Sequence, residues 1–177
     1  MLMLRHTRGM TLIEILIALS ILVLLLGMGA PSFMVWMQSQ QVRNAADAVL
    51  NGMQLARAEA IRRNRPVEFA LSNQSGWVVT QVNPKLDIQT RSEAEGSPKV
   101  DVDATPAGAY AVTFDALGGP TDNPDGSLRI QSLTFTSQVS NSAIRSLQIM
   151  VSVSGTIRMC DPDPALKDDD PRRCVKA

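Results

Sequence analysis

Histidine is almost absent from this chain of 177 residues, in which His6 is the only one. Without a histidine beyond position 6, the usual Ser-His-Asp and Cys-His nucleophilic sites cannot form in the rest of the chain. Cysteine is also scarce, and the two cysteines without a histidine are too few for a zinc site. The sequence therefore predicts a protein that is not an enzyme, with no catalytic residue, no metal and no cofactor.

An excess of charge of either sign is also lacking. Lys and Arg together number 17, as do Asp and Glu, so the formal net charge is zero. Nothing in the overall composition therefore points to a nucleic acid or to an acidic substrate as the partner. The length corresponds to one domain of ordinary size together with a separate N-terminal segment.

A long apolar segment is present near the N-terminus. Between Met10 and Met37 the polar interruptions are Thr11, Glu14, Ser20 and Ser32, and Gly and Pro occur near the end of the segment. A membrane span needs about 20 apolar residues, so this segment is long enough. The rest of the chain is long enough to build a core of its own.

Two cysteines, Cys160 and Cys174, lie close to the C-terminus. A spanning segment followed by a polar domain with a late cysteine pair suggests an oxidising compartment. A disulfide between them would close a loop of about 15 residues and contribute about 3 kcal/mol in the loop-entropy description. The alternative is two unrelated free thiols.

The residues before the apolar segment form a short basic leader. Arg5 and Arg8 are present and acidic residues are absent from the first nine positions. Under the positive-inside rule this leader stays on the cytoplasmic side.

Glu14 is the anomaly of the apolar segment, because a carboxylate on a spanning helix costs a few kcal/mol and usually marks function. If the chain were cut after Gly9, the new amino terminus at Met10 would lie close to this carboxylate. In a packed array the amine of one subunit can pair with Glu14 of its neighbour, which leaves neither charge alone in an apolar medium. The alternative is that Glu14 lies near the membrane interface and is solvated by headgroups.

The run Gly9-Met10-Thr11-Leu12-Ile13-Glu14 resembles the class III signal of type IV pilins and type II secretion pseudopilins. The resemblance implies cleavage by a prepilin peptidase between Gly9 and Met10, N-methylation of Met10 and filament assembly that depends on Glu14. Met10 stands where many members carry Phe, and it is also large and apolar. Two competing interpretations are a secretory signal ending near Ala30, which rarely contains a Glu in its core, and a plain membrane anchor, which leaves Gly9 and Glu14 unexplained.

We expect a helix from Met10 to about Arg63, roughly 80 Å long at ~1.5 Å per residue. Gly27, Gly29 and Pro31 should bend it. Beyond the bend, apolar residues recur every three or four positions and predict a face packed on a domain: Val42, Ala46, Val49, Met53, Ala56 and Ala60. Charged residues fall largely on the other face or at the end and favour a solvated surface: Arg57, Glu59, Arg62 and Arg63. The run Leu55–Asn64 resembles the helix end of H-type pseudopilins and of T- and U-type minor pilins.

Pro66 ends the predicted helix, and strand signals dominate afterwards. The candidate strands are Val67–Leu71, Trp77–Val82, Lys99–Asp103, Tyr110–Asp115, Leu128–Thr136, Ile144–Val153 and Thr156–Cys160, with Asn83–Pro98 as a long loop or a mixed edge. The fold class is thus α+β, a long N-terminal transmembrane and amphipathic helix packed on a mostly antiparallel β-sheet domain. The expected organisation is a leader (1–9), a transmembrane half-helix (10–31), an amphipathic half-helix (32–64) and a periplasmic β-domain with a disulfide-closed C-terminal loop (65–177).

The loop from Leu117 to Gly126 contains two acids and an Asn, so a calcium site has to be considered. The spacing misses the alternation of oxygen ligands in an EF-hand, and a turn between strands is the favoured interpretation. Phe114-Asp115 and Leu117-Gly118 also resemble the same pilin subfamily.

Some minor pilins of this subfamily bind DNA through a Gly-Arg-x-Arg element before the first late cysteine. The matching stretch is Gly155-Thr156-Ile157-Arg158, in which Thr156 replaces the first Arg. The candidate phosphate contacts are Arg158, Lys167, Arg172, Arg173 and Lys176, and five acids lie in the same segment: Asp161, Asp163, Asp168, Asp169 and Asp170. DNA affinity grows with the number of phosphates neutralised, so DNA is a partner that the sequence does not favour.

The resemblance implies a structural minor pilin or pseudopilin that helps to initiate or cap a type IV pilus or a type II secretion pseudopilus. Its expected partners are other pilins or pseudopilins, the prepilin peptidase, the inner-membrane assembly platform and membrane lipid. The expected location is the bacterial inner membrane, crossed once, with the C-terminal domain in the periplasm. A DNA receptor for uptake is the alternative function.

Overall fold

The computed structural model describes residues 10–174, except for the side chains of residues 28–31. Within these residues the chain forms one long helix followed by nine strands. The helix is α1 (Leu12–Arg63), and the strands are β1 (Val67–Leu71), β2 (Trp77–Gln81), β3 (Leu86–Arg91), β4 (Val100–Thr105), β5 (Ala111–Phe114), β6 (Pro120–Thr121), β7 (Ser132–Ser137), β8 (Leu147–Val151) and β9 (Ile157–Cys160).

Both ends of α1 are capped. Thr11 has an extended backbone (φ −80°, ψ 151°), and its hydroxyl oxygen accepts a hydrogen bond from the Glu14 N–H at 3.4 Å. The helix therefore begins at Leu12 and not at Met10, because a capping residue leaves the helical conformation. At the other end Asn64 is left-handed (φ 52°, ψ 43°), and the Arg65 N–H donates to the Ala60 carbonyl at 3.2 Å, which closes the last turn.

The long helix consists of two parts that meet at an angle. Within the described residues no single helix is long and apolar enough to cross a membrane. Leu12–Gly27 and Ser32–Arg63, bent by 44° relative to each other, could do so as a pair, by length and composition. The bend occurs where Gly27, Gly29 and Pro31 predict one.

The strands form two antiparallel sheets, both of which contact α1. The first has the order β3-β2-β1-β5-β6 and the second the order β4-β7-β8-β9. Between them and the helix lies the core, which includes Val42, Val49, Met53, Phe69, Phe114, Leu133, Phe135 and Ile149. The predicted α+β class is confirmed, with two sheets where the sequence indicated a single sheet domain.

Gly52 allows the middle of α1 to lie directly on the first sheet. A Cβ at this position would be 2.9 Å from ring atoms of both Phe69 and Trp77. The two rings are in contact, with centroids 5.9 Å apart, and both are buried. A glycine inside a helix costs about 1 kcal/mol relative to Ala, and here the aromatic packing offsets that cost.

The strand β3 lies inside the stretch that the sequence assigns to a long loop or a mixed edge. It is the edge strand of the first sheet, and its burial follows no alternation because only Ile88 and Arg91 are half-buried. An edge strand of this kind has no apolar face, which explains why the sequence gives no clear strand signal.

The strand β7 begins at Ser132, whereas the sequence predicts a start at Leu128. The intervening residues bond to both sheets instead: the Ile130 N–H donates to the Ala111 carbonyl and the Gln131 N–H to the Thr105 carbonyl, both at 2.8 Å. This segment is therefore a connection that bonds to both sheets and not a longer strand, and of its two apolar side chains Ile130 is buried while Leu128 is exposed.

Candidate assembly and contact surfaces

The N-terminal end of α1 presents one carboxylate on an apolar helix. Glu14 is the only charged residue between Met10 and Val42, and it is exposed in the first turn. There it faces the positive end of the helix dipole, and Thr11-x-x-Glu14 has the spacing of a capping box. Met10 is exposed as well, and Gly9 lies outside the described residues.

The part of α1 around Glu14 exposes apolar side chains in every direction. Their exposed fraction runs from 47% for Ile15 to 77% for Leu12, and the set comprises Leu12, Ile13, Ile15, Leu16, Ile17, Leu19, Ile21, Leu22, Val23, Leu24, Leu25 and Leu26. A helix that is apolar all round belongs in apolar surroundings. Because the chain's own domain does not cover it, this segment has to be covered by lipid or by other helices.

The charged residues at the end of α1 form specific hydrogen bonds, whereas the sequence predicts only a solvated face there. The Arg57 Nε donates to the Gly118 carbonyl at 3.0 Å, which ties the helix to the loop after β5. Glu59 accepts hydrogen bonds from Arg62 and Arg63, with the shortest distances at 2.6 Å. These two guanidinium groups, Arg62 first, lower the pKa of Glu59 from 4.5 to about 2.

Two loops meet at the Gly118 carbonyl. Asp115 shapes the first loop, because its Oδ1 accepts from the N–H groups of Leu117 and Gly119, both at 2.9 Å. Gly155, in the turn between β8 and β9, lies so close to Gly118 that a side chain would overlap the carbonyl oxygen. A Cβ at Gly118, where φ is +81°, would be 2.8 Å from the Ile61 Cδ1, so the Ile61 side chain would have to shift.

The contact of Arg57, Gly118 and Gly155, which we call the junction, gives a structural role to residues that the sequence analysis considered for other reasons. Gly155, which matches the first position of the DNA-binding element, is buried and packs against the Gly118 carbonyl. The stretch from Leu117 to Gly126 contains the turn that the sequence favours and the short strand β6. Among residues 10–174 there is no group of three or more His, Cys, Asp or Glu side chains placed to hold a metal ion.

The C-terminal tail is closed at its base. Cys160 and Cys174 form a disulfide with their Cα atoms 5.0 Å apart. Beside it, the Asp161 N–H donates to the Arg172 carbonyl at 2.7 Å and the Cys174 N–H donates to the Asp161 carbonyl at 3.2 Å. The tail therefore leaves the second sheet and returns to it at one place.

Two of the candidate phosphate contacts, Arg172 and Arg173, are already paired with acids of the same tail. Arg172 donates from Nε and Nη2 to both carboxylate oxygens of Asp170, at 3.0 and 2.7 Å, and this pairing lowers the pKa of Asp170 to about 2. Arg173 forms an ion pair with Asp168. Arg158 is exposed on β9 and takes part in none of the ion pairs of residues 10–174. Lys176 lies outside the described residues.

A cleft of about 770 Å³ opens on the outer face of the second sheet. Its floor includes Ser132, Gln148 and Met150, which alternate with the buried Leu133 and Ile149 of the same strands. Pro120, Pro162 and Cys174 also line it, and Arg129 is its one charged lining residue. A lining without a thiol, a histidine or a carboxylate offers hydrogen bonds and contact area, with no group suited to acid–base or nucleophilic chemistry.

The sequence matches two known families. The family described as Type II transport protein GspH matches residues 45–155, and the prokaryotic N-terminal methylation motif matches residues 4–30. Comparison with curated proteins gives no match.

Among solved structures, the chain is similar to the type IV minor pilin FimU of Pseudomonas aeruginosa in two crystal forms. In one form the TM-score is 0.48 at 16% identity, covering 66% of this chain and 90% of FimU. In the other form it is 0.49 at 16% identity, covering 67% and 87%. On the family match, which spans more than half of its residues, this chain belongs to the type II transport protein GspH family, and it carries the prokaryotic N-terminal methylation motif.

Proposed function

We propose that this subunit helps to initiate or cap a type IV pilus or a type II secretion pseudopilus, after a prepilin peptidase cleaves it between Gly9 and Met10. The observation that carries the proposal is the isolation of Glu14 on an exposed apolar helix. Family and fold are those of structural filament subunits, and the described residues of this chain present contact surfaces.

Cleavage after Gly9 would place an amine at Met10, which is N-methylated in this proposal. In a filament the apolar halves of α1 pack together, and each Glu14 then loses water. The carboxylate would be destabilised there unless a positive group approaches it, and the amine of the neighbouring subunit supplies that charge. The pairing fixes the axial position of each subunit relative to the next, since it is the only ionic contact available in this segment.

Before assembly, the subunit crosses the bacterial inner membrane once and its β-domain lies in the periplasm. The basic leader with Arg5 and Arg8 supports this orientation, and the disulfide between Cys160 and Cys174 fits an oxidising compartment. Membrane lipid, the prepilin peptidase and the inner-membrane assembly platform are the partners at this stage, and other pilins or pseudopilins are the partners in the filament. The stiff, proline-rich tail closed by the disulfide is the surface that we assign to contact with another subunit.

Processing is tested by intact mass and N-terminal sequencing of the membrane-extracted protein, produced with and without a prepilin peptidase. We expect a peptidase-dependent chain that begins at methylated Met10. An uncut chain, or one cut near Ala30, would overturn the filament proposal.

Assembly is tested with Glu14→Gln, which keeps the size of the side chain and removes its charge. We expect normal cleavage and a strong reduction of the subunit in purified filaments. Ser20→Ala, a change at a polar position of the same helix, is the matched control and should assemble normally. Wild-type incorporation of Glu14→Gln would disprove the charge-pairing step.

DNA binding for uptake is the alternative function, and the exposed, unpaired Arg158 is the observation that favours it. The ion pairs of Arg172 and Arg173 with Asp170 and Asp168 oppose it, because each paired acid offsets one base. We expect at most weak binding in a mobility-shift assay. A strong, salt-sensitive shift that Arg158→Ala abolishes, and that Arg43→Ala on the helix leaves intact, would establish a DNA-binding role.

A further inference from the structure

Two aromatic residues of α1, Phe33 and Trp36, are exposed, in contrast to the phenylalanines and the tryptophan of the domain core. Phe33 and Trp36 are 55% and 56% exposed, whereas Phe69, Phe114, Phe135 and Trp77 are at most 3% exposed. Their rings are in contact with each other, with centroids 5.7 Å apart. Met34 and Met37 are exposed next to them, at 66% and 41%. We call these four residues, Phe33, Met34, Trp36 and Met37, the aromatic collar.

The collar occupies a boundary along α1. On its N-terminal side lies the exposed apolar segment, which ends at Gly27 as the first part of the bent helix. On its C-terminal side the sequence becomes polar, with Gln38, Gln40 and Gln41, and the first charged residue after Glu14 is Arg43. Among the side chains of α1 that the structure describes, Gln38 is also the first buried one, so the β-domain covers the helix beyond the collar.

The distance along the helix matches the thickness of a bilayer. The 21 steps from Leu12 to Phe33 correspond to about 32 Å of helix at ~1.5 Å per residue. With the first part upright and the second part bent by 44°, the projection is still about 29 Å. The hydrocarbon core of a bilayer is about 30 Å thick, so the collar lies at one face when Leu12 lies at the other.

We propose that the aromatic collar binds the boundary between acyl chains and headgroups of the outer leaflet of the inner membrane before the subunit enters the filament. The inference rests on the proposed membrane insertion and deepens it by naming the surface and its partner, lipid at headgroup depth. The indole of Trp36 suits this depth, since its ring is apolar while its N–H donates to headgroup or ester oxygens. Phe33, Met34 and Met37 supply the apolar contact on the acyl side. The collar would thereby set the depth of the helix and hold the β-domain just outside the bilayer.

The chain allows a direct measurement, because it has only two tryptophans and the other, Trp77, is buried in the domain core. The full chain is reconstituted at a low protein-to-lipid ratio in phosphatidylcholine vesicles that carry bromine either high or low on the acyl chain. We expect at least twofold stronger quenching of Trp36 by the shallow bromines than by the deep ones. Trp77→Phe isolates the Trp36 signal, and if that variant does not fold, the difference between wild type and Trp36→Phe gives the same quantity. Trp36→Phe is also the control, whose remaining fluorescence should not be quenched.

Vesicle flotation separates the possible failures. A chain that floats with the vesicles while the deep bromines quench Trp36 as strongly as the shallow ones overturns the collar and leaves membrane insertion standing. A chain that floats while neither lipid quenches Trp36 shows that the collar does not contact acyl chains and lies in water or against protein, such as a second copy of the helix, which also overturns the inference. A chain that does not float contradicts the proposed membrane insertion itself.

Discussion

The backbone of Gly155 lies directly against the carbonyl oxygen of Gly118, with no space for a side chain between them. The same carbonyl accepts the hydrogen bond from Arg57 of α1. One oxygen atom thus joins the helix to the loops that follow β5 and β8, and so links the helix to both sheets. We expect this junction to be among the positions least tolerant of substitution in the domain.

Gly155→Ala should therefore destabilise the protein strongly. The residue has φ +78°, where an L side chain is strained, and the new Cβ would overlap the Gly118 carbonyl. We expect a loss of more than about 2 kcal/mol in the free energy of unfolding, measured by chemical denaturation of the full chain in detergent. Gly126→Ala is the matched control, because Gly126 has φ +74° with open space around it, and it should cost about 1 kcal/mol. Equal losses for the two variants would contradict the importance of the contact.

Glu59 makes the end of α1 sensitive to acid. Its pKa in the folded protein, about 2, is below the ordinary value of 4.5, so its ion pairs stabilise the fold fully above about pH 4.5 and are lost as the pH falls toward 2. Glu59→Gln should lower the thermal unfolding temperature at pH 7, with a difference from wild type that shrinks toward pH 2.5. Asp47→Asn, which removes an exposed pair with Arg43 at 4.0 Å, should have a smaller effect. A difference for Glu59→Gln that does not depend on pH would refute this role.

Glu68 shows the opposite behaviour. It is half-buried on β1, and burial first, then the nearby Asp125 carboxylate, raises its pKa above the ordinary 4.5. Because the pKa of Glu68 is raised by folding, the protonated side chain favours the fold at pH values below the pKa of the unfolded chain. This contribution is lost as the pH rises through the pKa of the folded protein. Glu68→Gln should thus raise the unfolding temperature at pH 7 and leave it nearly unchanged below about pH 4. Asp103→Asn, at an exposed position of β4, provides the comparison, and a destabilised Glu68→Gln at pH 7 would count against this account.

Much of the fold could be predicted because its signals are local. Pro66 and the preceding charged turn mark the end of α1, and β1 begins and ends where the sequence places it. The division into two sheets could not be predicted, since it depends on long-range bonds such as those of Ile130 to Ala111 and Gln131 to Thr105. The role of Arg57 was missed for the same reason, because its partner Gly118 lies 61 positions away.

The candidate site residues were also predictable only in part. Cys160 and Cys174 are paired as their position near the C-terminus suggested. Gly9, Met10 and Glu14 stay predictions, because their chemistry involves a peptidase, a methyl group and a second subunit. The aromatic collar gave no separate signal in the sequence, since Phe33 and Trp36 sit within an apolar run, and only the contrast in exposure with the buried aromatics distinguishes them.

The disulfide should contribute measurably to stability. The pair Cys160→Ser with Cys174→Ser should lower the free energy of unfolding by about 3 kcal/mol, because the bond closes a loop of about 15 residues in the unfolded chain. Trypsin should also cut the tail at Lys167 faster in the double variant than in wild type. Wild-type protein treated with a reductant should show the same changes, and the double variant should not respond to it. A double variant as stable and as protease-resistant as wild type would rule out this contribution.

Because the tail departs from and rejoins the second sheet at Cys160 and Cys174, with their Cα atoms 5.0 Å apart, its interior has no role in connecting the strands. Insertions, deletions and changes of charge between the two cysteines should therefore be tolerated by the scaffold. The segment can change in length and charge while the helix and the two sheets keep their packing. It is the natural place in the chain for one subunit to acquire a neighbour, or a specificity, that its relatives do not share.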